Sequence, residues 1–178
     1  QLFLYAGFAG ITVFIGAVLA NLFNHHVKES TVKYEITHTL MSFGSGIILS
    51  ALALVLIPKG MEELEILPLT ISFLVGAILF MIIDQYLAKR GGQAATLLAM
   101  MMDFVPESIA LGAVFAIEPS MAILLAIFIG LQNLPEAFNA YRDLVQSGFT
   151  TTKTLFIFFL LSFCGLGGEL VPEIRTAI

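Results

Sequence analysis

Charge is what this chain lacks most. Only 12% of its 178 residues are Asp, Glu, Lys or Arg, where a soluble domain carries roughly 25%. With 58% apolar residues and a mean hydropathy of +0.97, there is too little polar surface to face water, which excludes a soluble domain and disorder alike. A single cysteine, Cys164, excludes a disulfide framework and a multi-cysteine zinc site. Eight Lys and Arg against thirteen Asp and Glu leave no basic field for nucleic acid. The first residue is Gln1 rather than Met, so the start of the protein is expected upstream. A signal-peptide pattern is missing too, because the first apolar run is too long and has no basic leader.

What the chain has instead is long apolar runs. A membrane-crossing helix needs about 20 predominantly apolar residues. Residues 1–27 carry no Asp, Glu, Lys or Arg; nor do 36–58, where His38 is the one titratable group, nor 66–83. Three further apolar stretches follow. The expected fold is all-α, a polytopic membrane helix bundle with six spans at about 2–23, 38–57, 67–88, 95–117, 120–141 and 153–172. Residues 1–178 form one transmembrane domain. Apolar residues surround each span instead of forming a stripe, as suits a lipid solvent. Small residues four apart (Ala6/Gly10, Gly16/Ala20, Gly46/Ser50) would let helices approach closely.

The short connections set orientation. Those after the first, third and fifth spans hold Lys28, Lys33, Lys89, Arg90, Arg142 and Lys153, while the remaining segments hold Lys59 and Arg175. Six against two places the odd connections in the cytoplasm and the N-terminus outside.

Four carboxylates do not sit at span ends: Asp103, Glu107, Glu136 and Glu169. A carboxylate deep in a bilayer costs several kcal/mol on insertion scales, so it faces a bundle interior or a water-filled cavity. The fourth span reads Asp103-Phe104-Val105-Pro106-Glu107, the fifth Gln132-Asn133-Leu134-Pro135-Glu136. This is one pattern used twice, a polar residue followed after two positions by Pro-Glu. Each polar residue and its glutamate are four apart, hence on one helix face. Pro106 and Pro135 lack an N–H, which frees the carbonyls of Met102 and Leu131, and such oxygens are tolerated where they line a cavity. Spans joined by the short Glu118-Pro119 link are antiparallel neighbours, so the two motifs meet near mid-membrane. Three carboxylates and an amide together there cannot all stay ionised without a cation. The bland alternative, ordinary kinks with polar side chains bonding between helices, accounts less well for a doubled motif.

These residues resemble the ZIP family of divalent-metal transporters, whose fourth and fifth helices carry related x-x-Pro-Glu motifs. The match is close at Gln132-Asn133-Leu134-Pro135-Glu136. It is partial in the fourth span, where Asp103 and Phe104 stand in place of the usual His and Asn, and Ser108 and Ala137 replace the common Gly. The resemblance implies a first metal position at Asp103, Glu107, Gln132 and Glu136. It implies a second at Asn133, the bridging glutamates and a sixth-helix acid, for which Glu169 is the candidate; Phe104 cannot ligate. It also implies an eight-helix fold, so that this six-span chain would lack the last two helices. The activity implied is passage of a divalent cation (zinc, iron, manganese or cadmium, as bound substrate) across the plasma membrane towards the cytoplasm, with room for a homodimer.

Other residues carry blander readings. His25 and His26 read as a solvated connection, His38 as interfacial, Asp84 as solvated or paired at the inner interface. Met100, Met101 and Met102 point three ways and read as packing, Ser42 and Ser45 are candidates for lining a pathway, and Cys164 and Glu169 should not share a ligand face. An intramembrane enzyme has no supporting motif, so no catalytic residue is expected. A non-transporting membrane assembly subunit is the other alternative. The candidate shell holds no His and no Cys, which favours hard ions such as Mn²⁺ or Fe²⁺ over zinc.

Overall fold

The computed structural model describes residues 2–28 and 30–164, and every element among them is helical. The first charge-free run forms α1, Leu2–His26. Ser30 opens α2, Thr31–Ala51, its hydroxyl accepting from the Lys33 N–H at 3.2 Å, a standard helix cap. That start lies seven residues before the expected one. The turn carrying Lys33 and Glu35 stays helical, with Lys33 buried over the Phe23 ring.

The same span runs on through one wide turn, Leu52–Leu56, into α3, Ile57–Glu63. Pro58 is the cause. It has no N–H to give Leu54, and its ring presses on that carbonyl. One inserted residue relieves the clash, so that the Ile57 N–H reaches back to the Leu52 carbonyl in a π-type bond. Next comes α4, Ile66–Arg90, ended by Gly91 and Gly92 at φ 59° and 81°, angles that glycine takes at little cost. This reversal sets α5, Gly92–Ile117, beside α4. Glu118 is extended, and Pro119 begins α6, Pro119–Gln146, from the first-turn position where a missing N–H costs nothing. Both α5 and α6 continue through their inner prolines, Pro106 and Pro135.

Among the described residues, five helices are long and apolar enough to cross a membrane: Phe3–His26, Thr31–Glu63, Ile66–Arg90, Ala95–Ile117 and Pro119–Gln146. At about 1.5 Å per residue, a helix of 25 residues spans about 37 Å, more than the roughly 30 Å hydrocarbon core. The chain is an all-α membrane bundle. Of the expected sixth span, about 153–172, the structure describes α7, Thr151–Cys164, a shorter apolar helix; positions 165–172 lie outside the described residues.

At the centre stands α6, packed on α1, α2, α5 and α7. Small residues permit this. A side chain at Gly16 would strike the Leu134 carbonyl and lie 3.0 Å from the Ala137 Cβ, and one at Gly10 would strike the Ser162 carbonyl on α7. Ala6 and Ala20 are buried as the spacing suggested, whereas Gly46 faces open space and Gly44 packs on Pro135 instead. In contrast, α4 keeps Leu87 as its one buried residue and turns apolar side chains outward all round, the arrangement lipid demands.

Candidate functional site

The two Pro-Glu motifs do meet, at the contact of α5 with α6. The Gln132 amide donates to Glu107 Oε1 across the helices. One turn further along, the Asp103 carboxyl lies within hydrogen-bonding reach of Glu136, and Gln132 borders Glu136 as well. Two carboxyl groups so close share either a proton or a cation. Glu107 Oε2 is buried and has no hydrogen-bond partner, an oxygen that strongly prefers one. The four residues expected at the first metal position are thus neighbours. They form two pairs rather than a closed cage, and among the described residues no three His, Cys, Asp or Glu side chains converge at metal-holding distance.

Surroundings differ sharply above and below. Towards the α5–α6 turn, Ala6, Ala9, Ala51, Val55, Leu111, Val114, Ala122, Leu125, Ala126 and Ile129 make a dry cluster. Towards the other end, where α4 hands over to α5 and α6 finishes, a cavity of about 300 Å³ opens between α2, α5 and α6. Asp103, Gln132 and Glu136 form its inner wall, and Ser45, Thr96, Asn139 and Asp143 continue its polar lining. Glu107 sits behind Gln132, off the cavity wall. Asp103 is exposed, while Glu107 and Glu136 are half-buried, so water reaches the first more freely than the others.

The second expected metal position is not built among the described residues. Asn133 is buried and donates to the Ala9 carbonyl of α1 at 2.9 Å, a bond that ties α6 to α1. Between it and Glu136 remains a cavity of only about 10 Å³, walled by Val13, Met100, Met101, Phe104 and Leu161. Phe104 occupies the ground where the ZIP pattern would bring an amide. Glu169 lies outside the described residues.

The other residues singled out in the sequence are placed as follows. Asp84 is exposed, in line with a solvated residue, and shares a cavity of about 60 Å³ with Asp103 between α4 and α5. Ser45 lines the main cavity, but Ser42 does not. Asn139 and Asp143 escaped the sequence reading, although their spacing from Gln132 and Glu136 was there to be seen. His38 stacks on Tyr34 with ring centroids 3.8 Å apart, and its Nδ1 lies 3.0 Å from the Tyr34 carbonyl. Met100 is buried, Met101 exposed and Met102 half-buried, which fits packing.

An ionic cluster caps the dry end. Lys59, after the wide turn, pairs with Glu62 at 2.6 Å and with Glu118 in the α5–α6 link. Lys59, and then the Ser120 hydroxyl, hold the Glu118 carboxyl below its usual range. Compared with protein-family models, with curated proteins and with solved structures, the chain has no significant match.

Proposed function

We propose that this protein is a divalent-metal transporter of the ZIP type, carrying a transition-metal cation towards the cytoplasm across the plasma membrane, its N-terminus outside. The observation that carries the reading is the pairing of the two Pro-Glu motifs beside a mixed cavity whose wall includes Asp103, Gln132 and Glu136, with Glu107 Oε2 left without a partner. Burying such groups costs several kcal/mol in lipid unless something charged compensates them. A divalent ion supplies that compensation. Asp103, Gln132 and Glu136 would receive it from the cavity wall, and Glu107 would close on it if the Gln132 amide gave way. The cavity wall runs towards the helix ends near Lys89, Arg90 and Arg142, and on the orientation proposed from the charge rule this cavity would serve release to the cytoplasm. All donors are oxygen, which suits Mn²⁺ and Fe²⁺ while leaving Zn²⁺ and Cd²⁺ as competitors.

The test is flux into proteoliposomes with Mn²⁺, Fe²⁺, Zn²⁺ and Cd²⁺ offered singly. Wild type should move at least one of these ions, and Glu136→Ala should move none. Equal flux in both would sink the proposal. A membrane assembly subunit draws support from α4, whose apolar surface is uncovered. That reading requires Asp103, Glu107, Gln132 and Glu136 to be replaceable by apolar residues without change in metal handling.

A further inference from the structure

The end of the bundle opposite the main cavity is closed twice. Beneath lies the dry cluster, where Ala51 and Val55 meet Ala122 and Leu125 of α6. Over it lies the ionic contact of Lys59 with Glu118, and each arm of that contact is held on its own helix. Glu62, three residues along α3, pairs with Lys59 Nζ at 2.6 Å. The Ser120 hydroxyl donates to Glu118 Oε1 at 3.0 Å. The Glu118 carbonyl accepts from the Met121 and Ala122 N–H groups at 3.1 and 3.2 Å, so its side chain and backbone are both fixed to the first turn of α6. On its other side α3 rests on α4, with Gly60 so close that a Cβ there would lie 2.8 Å from Leu69 Cδ1. The wide turn at Leu52–Leu56 inserts one residue, which sets Lys59 back by about 100° from its place on an unbroken helix. The register in which Lys59 meets Glu118 is the one that turn creates.

Resting on the transport reading above, we propose that Lys59 and Glu118 form a latch on the dry half of the bundle. While the pair is made, α3 holds the start of α6 in place and the cluster beneath excludes water. Once it breaks, α6 is free to part from the wide turn, and water enters between Val55 and Leu125. Magnitudes favour this over a role in stability. Exposed ion pairs add little to a fold, a poor reason to gather three charged side chains and a hydroxyl at one spot. A small increment is sufficient where it biases two arrangements, the minor one populated at roughly 0.1–10%.

Solvent access to Leu125, buried in the dry cluster, tests the latch. A Leu125→Cys reporter in a Cys164→Ser background, with the full chain in lipid nanodiscs, is reacted with a charged, water-soluble methanethiosulfonate. With Lys59 and Glu118 intact the reaction should be slow. Lys59→Met should speed it about fivefold, the most that one exposed ion pair shifts an equilibrium. Glu118→Gln should do the same, whereas Lys59→Arg should stay slow. A second reporter, Leu144→Cys in the other core cluster, separates opening at the latch from general loosening, and its rate should not change in Lys59→Met. Leu125→Cys rates unaltered by Lys59→Met and Glu118→Gln, or Leu144→Cys rates rising in step with them, overturn the latch. Wild-type Mn²⁺ flux in proteoliposomes is measured in parallel. Flux with unaltered reporter rates defeats the latch alone, whereas absence of flux defeats the transport reading on which it rests.

Discussion

Replacing Glu107 with methionine should separate stability from function in opposite directions. In the metal-free protein Glu107 Oε2 is buried without a partner, and an unsatisfied polar atom of that kind costs about 1–3 kcal/mol, more when charged. Glu107→Met removes it with little change of volume. It also strands the N–H that Gln132 gives to Oε1, returning about 1 kcal/mol; Gln132 keeps Glu136 as a neighbour. The net expectation is a metal-free variant as stable as wild type or more so, by about 0–2 kcal/mol. With Mn²⁺ at a hundred times its dissociation constant the order reverses. Wild type gains about 2.7 kcal/mol by mass action, or roughly 5–11 °C for a chain of this size, and the variant gains nothing. Circular dichroism melts in detergent, with and without Mn²⁺, measure both halves. If Glu107→Met lowers metal-free stability by a kcal/mol or more and melts with the same Mn²⁺ shift as wild type, Glu107 is a structural hydrogen-bonding residue and the site reasoning fails.

Three more outcomes are expected. Asp103→His puts an imidazole where a carboxylate now lines the cavity and should raise the Zn²⁺-to-Mn²⁺ flux ratio; an unchanged ratio removes Asp103 from contact with the ion. Cysteines placed at Lys28 and Arg90, in a Cys164→Ser background, should react with impermeant maleimide from the cytoplasmic face alone, and labelling from outside would invert the orientation and the transport direction. Gly16→Val should lower the melting temperature, since its side chain meets the Leu134 carbonyl and Ala137 and overpacking costs about 1–3 kcal/mol; an unaltered melt would mean that α1 and α6 can part freely.

What could be read in the sequence was whatever depends on counting. Charge-free runs gave the helices, because a bilayer rejects charge wherever it falls in the run. The spacing of Asp103 from Glu107 and of Gln132 from Glu136 gave the meeting of α5 with α6, because the short Glu118–Pro119 link leaves antiparallel packing as the simple solution. Helix ends were less legible. Lys33 and Glu35 masked the start of α2, since Lys33 finds cover over Phe23 that no one-dimensional pattern reports. Asn133 illustrates the harder limit: its place in the motif suggests a ligand, yet its amide is spent on the Ala9 carbonyl, and that choice depends on how closely small residues let α1 approach. That Asp84 and Asp103 wall one cavity likewise depends on the Gly91–Gly92 reversal, which sets the register of α4 against α5.

The position of the site follows from a change of character along one face of α6. Leu125 and Ile129 share, within about 80° of arc at 100° per residue, the face that carries Gln132, Glu136, Asn139 and Asp143. Above Gln132 that face is apolar and closed, because Ala6, Ala9, Ala51 and Val55 fit against it without a gap. Below, it is polar, and Gly44 and Ser45 of α2 stand beside it as walls of the cavity. Gln132 is where the two meet, and its amide spans them, bonded to Glu107 behind and bordering Glu136 in front. Beyond Gln132, any passage along this face means parting α6 from the small residues of α1 and α2. Close packing of that kind resists continuous deformation, so passage through the dry half calls for a discrete rearrangement of helices, and the Lys59–Glu118 link lies across the contact that such a movement would have to break.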